Sequence, residues 1–384
     1  MAVSAQPMVL PAYGRGSVAD ILPSIGAQLG LPGVDNVLGL PDGDRWVVLL
    51  IDGLGEDLLA GAADAAPFLT QVRAEQGRAI TAGTPSTTVT SITSLGTGVP
   101  SGQHGMVGYS FRINAGSRSA RAPEQILNAL TWNTTMTGAE LQPLPTWFER
   151  IEAAGLAASI VTPARFRGTG LTESGLRGAR FVGINDEADV ELFLHSVVAA
   201  ATGPEKGVVY AYERALDHIG HSAGVKSQEW LTVLSEIDQR TARLRAELPD
   251  DVHLVITADH GMLDIPGRNF VLMEHEPSLM AGLQSHAGEG RFRHLYTDEP
   301  AALAARWADH LGDHAWVRTR DEAFDEGWFG PRDERVANRF GDVLIAMRTD
   351  WAVMTTTLPR ELDIIGMHGS LTPVEMNVPL IVAR

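Results

Sequence analysis

Four short apolar runs, Trp46 to Ile51, Ala157 to Val161, Val208 to Tyr212 and His253 to Thr257, are rich in Val and Ile and are bounded by turn residues. Runs of this kind fit strands buried on both faces of a mostly parallel sheet. Helix-like stretches lie between them. Thr146-Trp147-Phe148-Glu149 has the Thr-x-x-Glu form of a capping box and opens a segment that ends at Gly155. Trp230, Leu234, Ile237, Thr241, Leu244 and Leu248 recur at spacings of three and four, one buried face of a long helix after Ser227. Strands alternating with helices predict a layered α/β sandwich.

From about Leu263 to Ile365 the rhythm breaks. That stretch carries strand candidates at Arg293 to Thr297 and Asp342 to Met347 and a helix candidate at Pro300 to Leu311, and the chain then returns for a final strand, Val378 to Ala383. It reads as a subdomain inserted at about 263–365 in a single domain over 1–384, a length sufficient for one large core with an insertion.

Composition sets limits on partners. A net charge of -17 argues against stable nucleic-acid binding, because polyanions bind through basic surfaces that release counterions. An anionic substrate then needs a local positive centre, which bound metal supplies. With no cysteine, disulfides, thiolate ligands and cysteine nucleophiles are excluded. The first residues lack a basic segment followed by an uninterrupted apolar one, and no run approaches the roughly 18 apolar residues of a membrane span. A cytoplasmic protein without a membrane partner is expected.

The chemistry sits in loops. Asp52 follows VVLLI, and Asp259 follows HLVITA with His260 beside it, so both carboxylates belong at strand carboxyl ends, where open α/β sheets bind ligands. A turn or capping aspartate is the plain alternative. Asp217 and His221 are four apart and on a helical turn project to one side, able to share an ion, whereas His218 points elsewhere. His368 lies between Gly366 and Gly369, small neighbours that permit close approach. Thr88 belongs to a Ser/Thr-rich run after Pro85, a pattern that announces a helix N-terminus; its hydroxyl is then either a cap or a group poised beside free backbone N–H donors. Together these residues supply ligands for two divalent metals around a hydroxyl, a constellation suited to breaking phosphate esters.

The order Asp52, Thr88, Asp217-His221, Asp259-His260, His368, with Thr97-Gly98-Val99-Pro100 to His104-Gly105 and Glu375-Met376-Asn377-Val378-Pro379-Leu380, resembles the alkaline phosphatase superfamily. Within it the chain is most similar to the nucleotide pyrophosphatase/phosphodiesterase family, the type I phosphodiesterases, from about Trp46 to Val382. The resemblance implies a three-layer α/β/α sandwich with a mostly parallel central sheet. It implies that Asp217, His221 and His368 hold one zinc ion, and that Asp52, Asp259 and His260 hold a second, which also binds the Thr88 oxygen. Nitrogen and oxygen ligands suit zinc and also manganese. The family's Pro-x-x-Thr spacing, counted from Pro85, selects Thr88 over Thr87 as nucleophile, with a phosphothreonine intermediate resolved by water. A small phosphate ester or nucleotide is the implied substrate.

Two positions depart from the family pattern. Ser91 stands where the diesterases usually place an Asn that binds a non-bridging oxygen, and Leu216 replaces a Pro before the first metal-site Asp. Tyr109, Phe111 and Phe166 are candidates to cradle the substrate. A phosphonoacetate-type phosphonate hydrolase or a phosphomonoesterase would keep the same two-metal site and add Lys or Arg, for which Arg112, Arg165 and Arg167 are candidates. A sulfatase lacks its formylglycine precursor here, and the chain is too short for the large insertion of the related mutases.

Overall fold

The computed structural model describes residues 5–114, 124–203 and 205–383. In chain order the core begins with β1 (Arg45–Ile51), β2 (Gly77–Thr81), helix α1 (Thr88–Thr97), helix α2 (Trp147–Ala153), β3 (Ala157–Pro163), β4 (Arg180–Ile184) and β5 (Gly207–Glu213). It continues through α3 (Ala215–Ala223), α4 (Gln228–Glu247) and β6 (Val252–Thr257). An excursion follows with β7 (Ser285–Glu289), β8 (Phe292–Tyr296), helix α5 (Pro300–Leu311), β9 (Ala315–Thr319) and β10 (Val343–Met347), before β11 (Asn377–Ala383).

The central sheet has seven strands in the order β2-β11-β6-β1-β5-β3-β4. All run the same way except β11, which is antiparallel to both β6 and β2. Residues Trp46 to Ile51 are buried throughout, as a strand covered on both faces requires. Helices Pro67–Gln76, Val190–Ala201 and α4 pack together on one face, and Ile21–Gln28, α1 and α2 on the other. The chain is therefore a three-layer α/β/α sandwich with a mostly parallel sheet. The excursion builds a four-stranded antiparallel sheet, β7-β8-β10-β9, around its own apolar cluster of Leu295, Leu303, Trp307, Val343, Ile345 and Met347.

Local signals place the helices. Thr146 caps α2, its hydroxyl accepting from Glu149 N at 3.1 Å while Thr146 N donates to the Glu149 carboxylate at 2.8 Å. Ser227 caps α4, whose Trp230, Leu234, Ile237, Thr241 and Leu244 are all buried. Leu234→Ala should cost about 2–5 kcal/mol, because the fully buried side chain leaves a cavity that its neighbours fill only in part. A urea midpoint lowered to match, with turnover retained by the folded fraction, is the expected result. Among the described residues no helix is long and apolar enough to cross a membrane.

Candidate active site

Strands β6, β1 and β5 are neighbours, and their carboxyl ends open side by side. Each is followed by an acidic residue: Asp52 directly after β1, Asp259 just past β6, and Asp217 in the first turn of α3, which follows β5. Gly53 makes this convergence possible. It adopts φ 76°, and a Cβ there would press on Asp217 Cα and Cβ at 3.2 Å. His221 lies one turn along α3 from Asp217, and His368 follows the short strand Gly366–Met367, which pairs with Leu263–Asp264.

Five histidines divide into two kinds. In His221, His260 and His368 the Nδ1 atom faces a backbone carbonyl, Gly366 O at 2.7 Å, Gly261 O at 3.0 Å and Ser86 O at 2.9 Å respectively. Nδ1 must carry the proton to make those bonds, which leaves the Nε2 lone pair free. In His104 and His294 the arrangement is reversed. Their Nδ1 atoms accept backbone N–H groups from Met106 and Gly341, both at 3.0 Å, and Nε2 faces Ser94 Oγ and the Val107 carbonyl. Burial lowers both of these to about 3, so they are neutral and structural.

The free Nε2 atoms meet carboxylate oxygens. His221 Nε2 lies 3.3 Å from Asp217 Oδ2, His260 Nε2 lies 3.4 Å from Asp52 Oδ1 and 3.5 Å from Asp259 Oδ2, and His368 Nε2 lies 3.8 Å from Asp217 Oδ1. Asp52 Oδ1, Asp217 Oδ1 and Asp259 Oδ2 are buried without a hydrogen-bond partner. Burial, then Asp259 and Asp217, pushes the Asp52 carboxyl well above its ordinary range, and burial with the His260 and His221 imidazoles pushes His368 well below. Acceptors turned toward acceptors, with carboxylates crowded together, form a pocket of negative potential that divalent cations fit. Two donor groups stand out: Asp217, His221 and His368, and Asp52, Asp217 and His260. Asp217 belongs to both, while Asp259 reaches the second through its free Oδ2 near His260.

Thr88 is the first residue of α1, and its Oγ1 lies 3.2 Å from His260 Nε2. The first bond of α1 runs from Ser91 N to Thr87 O, so the N–H groups of Thr88, Val89 and Thr90 stand free of the helix ladder at its positive end. Thr87 is the N-cap, but its side chain makes no capping bond.

A pocket of about 500 Å³ opens over Thr88, Asp52, Asp217, His221 and His368. Tyr109 and Phe166 line it, as does the exposed His218. Ser91 and Phe111 do not: Ser91 is fully buried with its Oγ accepting Gly83 N–H at 3.0 Å, and Phe111 is fully buried in the core. These two candidates therefore lie outside the pocket wall, the Gly83 amide holding the Ser91 hydroxyl and core packing holding Phe111. Of the arginine candidates, Arg165 lines the pocket, whereas Arg112 and Arg167 are absent from its walls.

Apart from Arg165, the remaining pocket residues are not singled out by the sequence. Tyr212 donates a hydrogen bond to Asp52 Oδ2 and is held in its protonated form by burial and by Asp52. Arg214 and Arg165 share the single carboxylate of Glu187. Glu289, Met354 and Arg360 come from the excursion. Tyr212 ends an apolar run, so nothing local separates it from the other strand residues.

A family model of type I phosphodiesterase / nucleotide pyrophosphatase matches residues 46–371. No curated protein sequence matches the chain significantly. Among solved structures, human ectonucleotide pyrophosphatase / phosphodiesterase 5 is 15% identical over 88% of this chain and 87% of that one, with a TM-score of 0.65. An inactive form of the murine protein in complex with AMP is 15% identical over the same shares, at 0.64. Phosphonoacetate hydrolase from Sinorhizobium meliloti 1021, in complex with phosphonoacetate, is 19% identical over 90% of both chains, at 0.66. At such identities these structures establish a shared fold.

Proposed function

The chain belongs to the type I phosphodiesterase / nucleotide pyrophosphatase family, and from that premise we propose that it hydrolyses phosphate diesters or nucleotide anhydrides with Thr88 as nucleophile. Members are metal-dependent hydrolases acting on phosphoric ester bonds. The observation that supports this reading best is the convergence of three Nδ1-anchored histidines and three partnerless carboxylate oxygens beside Thr88 Oγ1.

Two divalent cations, zinc by the donor set with manganese as the alternative, would be held by Asp217, His221 and His368 and by Asp52, Asp259 and His260; bound, they supply an activated hydroxyl and neutralise charge on the phosphoryl oxygens. Thr88 Oγ1 attacks phosphorus in line with the leaving oxygen, the bond to that oxygen breaks, and the phosphoryl group resides on Thr88 until water releases it. The free N–H groups at the start of α1 donate to a non-bridging oxygen, and the helix dipole favours the negative charge there. Tyr212 fixes the orientation of Asp52 through its hydrogen bond. The pocket holds the second substituent between Phe166 and Tyr109. The inserted stretch at about 263–365 is proposed as the unit that shapes the outer half of this pocket.

A second reading, phosphonate or monoester hydrolysis at the same site, draws support from Arg165, Arg214 and Arg360 in the pocket wall, cations that would meet an additional substrate charge. The two readings separate on one zinc-loaded preparation. A nucleotide p-nitrophenyl ester should be cleaved at least about tenfold more efficiently in kcat/KM than p-nitrophenyl phosphate, a gap of about 1.4 kcal/mol. An equal preference for the monoester, or phosphate release from phosphonoacetate without diester cleavage, would move the assignment to the second reading.

A further inference from the structure

Among the residues lining the pocket, Glu289 has no assigned work. It ends β7 at the tip of the hairpin that the excursion points toward the core, and β7 pairs Glu289 with Phe292 of β8. Its carboxyl lies against the His368 loop: a Cβ on Gly369 would sit 2.9 Å from Glu289 Oε1. Yet no hydrogen bond or ion pair engages the Glu289 side chain among the described residues. Its neighbours are otherwise occupied. The fully buried Arg293 donates to Val353 O at 2.8 Å and Gly288 O at 3.1 Å, and its remaining donors go to Glu361, on the short 3-10 helix that carries Arg360. Tyr109 Oη receives the side-chain amide of Asn128 at 2.7 Å. Burial, opposed by Arg293 and reinforced by Glu361, holds the Glu289 carboxyl well above the ordinary range.

Glu289 is part-exposed on the pocket wall, so a carboxyl without a protein partner stands open to whatever the pocket binds. In either protonation state it presents an acceptor oxygen to the pocket. We propose that Glu289 is a specificity-determining residue that accepts a hydrogen bond from an N–H or O–H donor on the substituent of the phosphoryl group. The inference rests on the phosphoryl site proposed above. It divides the labour of the chain: the core sheet supplies the reacting groups, and the excursion reads what is attached to them.

The test uses three phosphate monoesters of similar size as product-like probes, 2-aminoethyl, 2-hydroxyethyl and propyl phosphate, with calorimetric affinities on the zinc-loaded full chain. At least one donor-bearing probe should bind roughly tenfold more tightly than propyl phosphate, the scale of one hydrogen bond to a buried or charged group. Glu289→Leu should close that gap to within about twofold, whereas Glu289→Gln, which keeps a carbonyl acceptor, should retain most of it for the hydroxyl probe. An ammonium source is marked by a larger loss in Glu289→Gln for the aminoethyl probe than for the hydroxyethyl one. Equal affinities in the wild type, an unchanged gap in Glu289→Leu, or loss of metal from that variant would each overturn the proposal. The p-nitrophenyl diesters of the same three groups are assayed in parallel. A protein that turned none of them over would overturn the phosphodiesterase reading, while the calorimetric comparison would still decide the role of Glu289.

Discussion

Thr88→Ala lowers kcat/KM for a phosphate diester by roughly a thousandfold or more, about 4 kcal/mol of transition-state stabilisation, and leaves metal content and melting temperature close to wild type. The hydroxyl is small, lies in the pocket rather than the core, and makes one contact, to His260 Nε2. Alanine is also well suited to a first helical turn, so α1 survives the change. The neighbouring Thr87 provides the control. It is the N-cap of α1 but makes no capping bond, so Thr87→Ala removes little from the helix and should cost less than about tenfold in rate. Single-turnover trapping of a phosphorylated chain should succeed in wild type and fail in Thr88→Ala. The reverse ranking of the two variants would place the nucleophile one residue earlier.

The second large effect follows from the unpaired carboxylates. Stripping divalent cations with a chelator should abolish turnover and lower the melting temperature, because Asp52, Asp217 and Asp259 then face one another without a counter-charge, and a ligand that binds only the folded state no longer contributes its stabilisation. Zinc should restore both properties, and elemental analysis should find two ions per chain. The arrangement also ranks the ligands. Asp217 stands in both donor groups, whereas His221 belongs to one and Asp52 to the other. Asp217→Ala should therefore empty the site it shares with His221 and His368 and weaken the neighbouring one, whereas His221→Ala or Asp52→Ala should empty one each and spare the other. A single ion in the wild type, or full occupancy of both sites in Asp217→Ala, would contradict this arrangement.

Much of the frame is legible in the residues themselves. The runs at Trp46, Ala157, Val208 and His253 are buried on both faces, so their apolar character is continuous and their assignment needs no partner. The strands without such a signal are the edges. Gly77–Thr81 exposes Arg78 and Ala79, and Arg180–Ile184 is only part-buried, so neither shows an apolar run. The site divides in the same way. Asp52 and Asp259 are visible because each carboxylate comes at the end of a buried strand, where the chain leaves the sheet and a charged side chain can reach a ligand. Tyr212 is absorbed into its strand: only the parallel register, which sets Tyr212 opposite Leu50, shows that its side chain shares a face with Asp52 two residues further on. Ser91 is correctly spaced from Thr88 along the helix, yet the Gly83 amide claims its hydroxyl, a contact that helical spacing does not contain. Glu289 arrives from a hairpin remote in sequence and leaves no local trace.

The position of β11 bears on how the molecule comes into being. β2 is an edge strand whose one neighbour in the central sheet is β11, and β11 also covers the open side of β6. While a ribosome is still delivering the excursion, β6 presents a bare row of backbone donors and acceptors and β2 has nothing to pair with. At roughly 5–20 residues per second that interval lasts on the order of ten seconds, long enough for exposed strand edges to find other chains. The nascent protein is thus most vulnerable to misassociation before β11 emerges, and the edge strand β2 joins the other five only when β11 slides between it and β6.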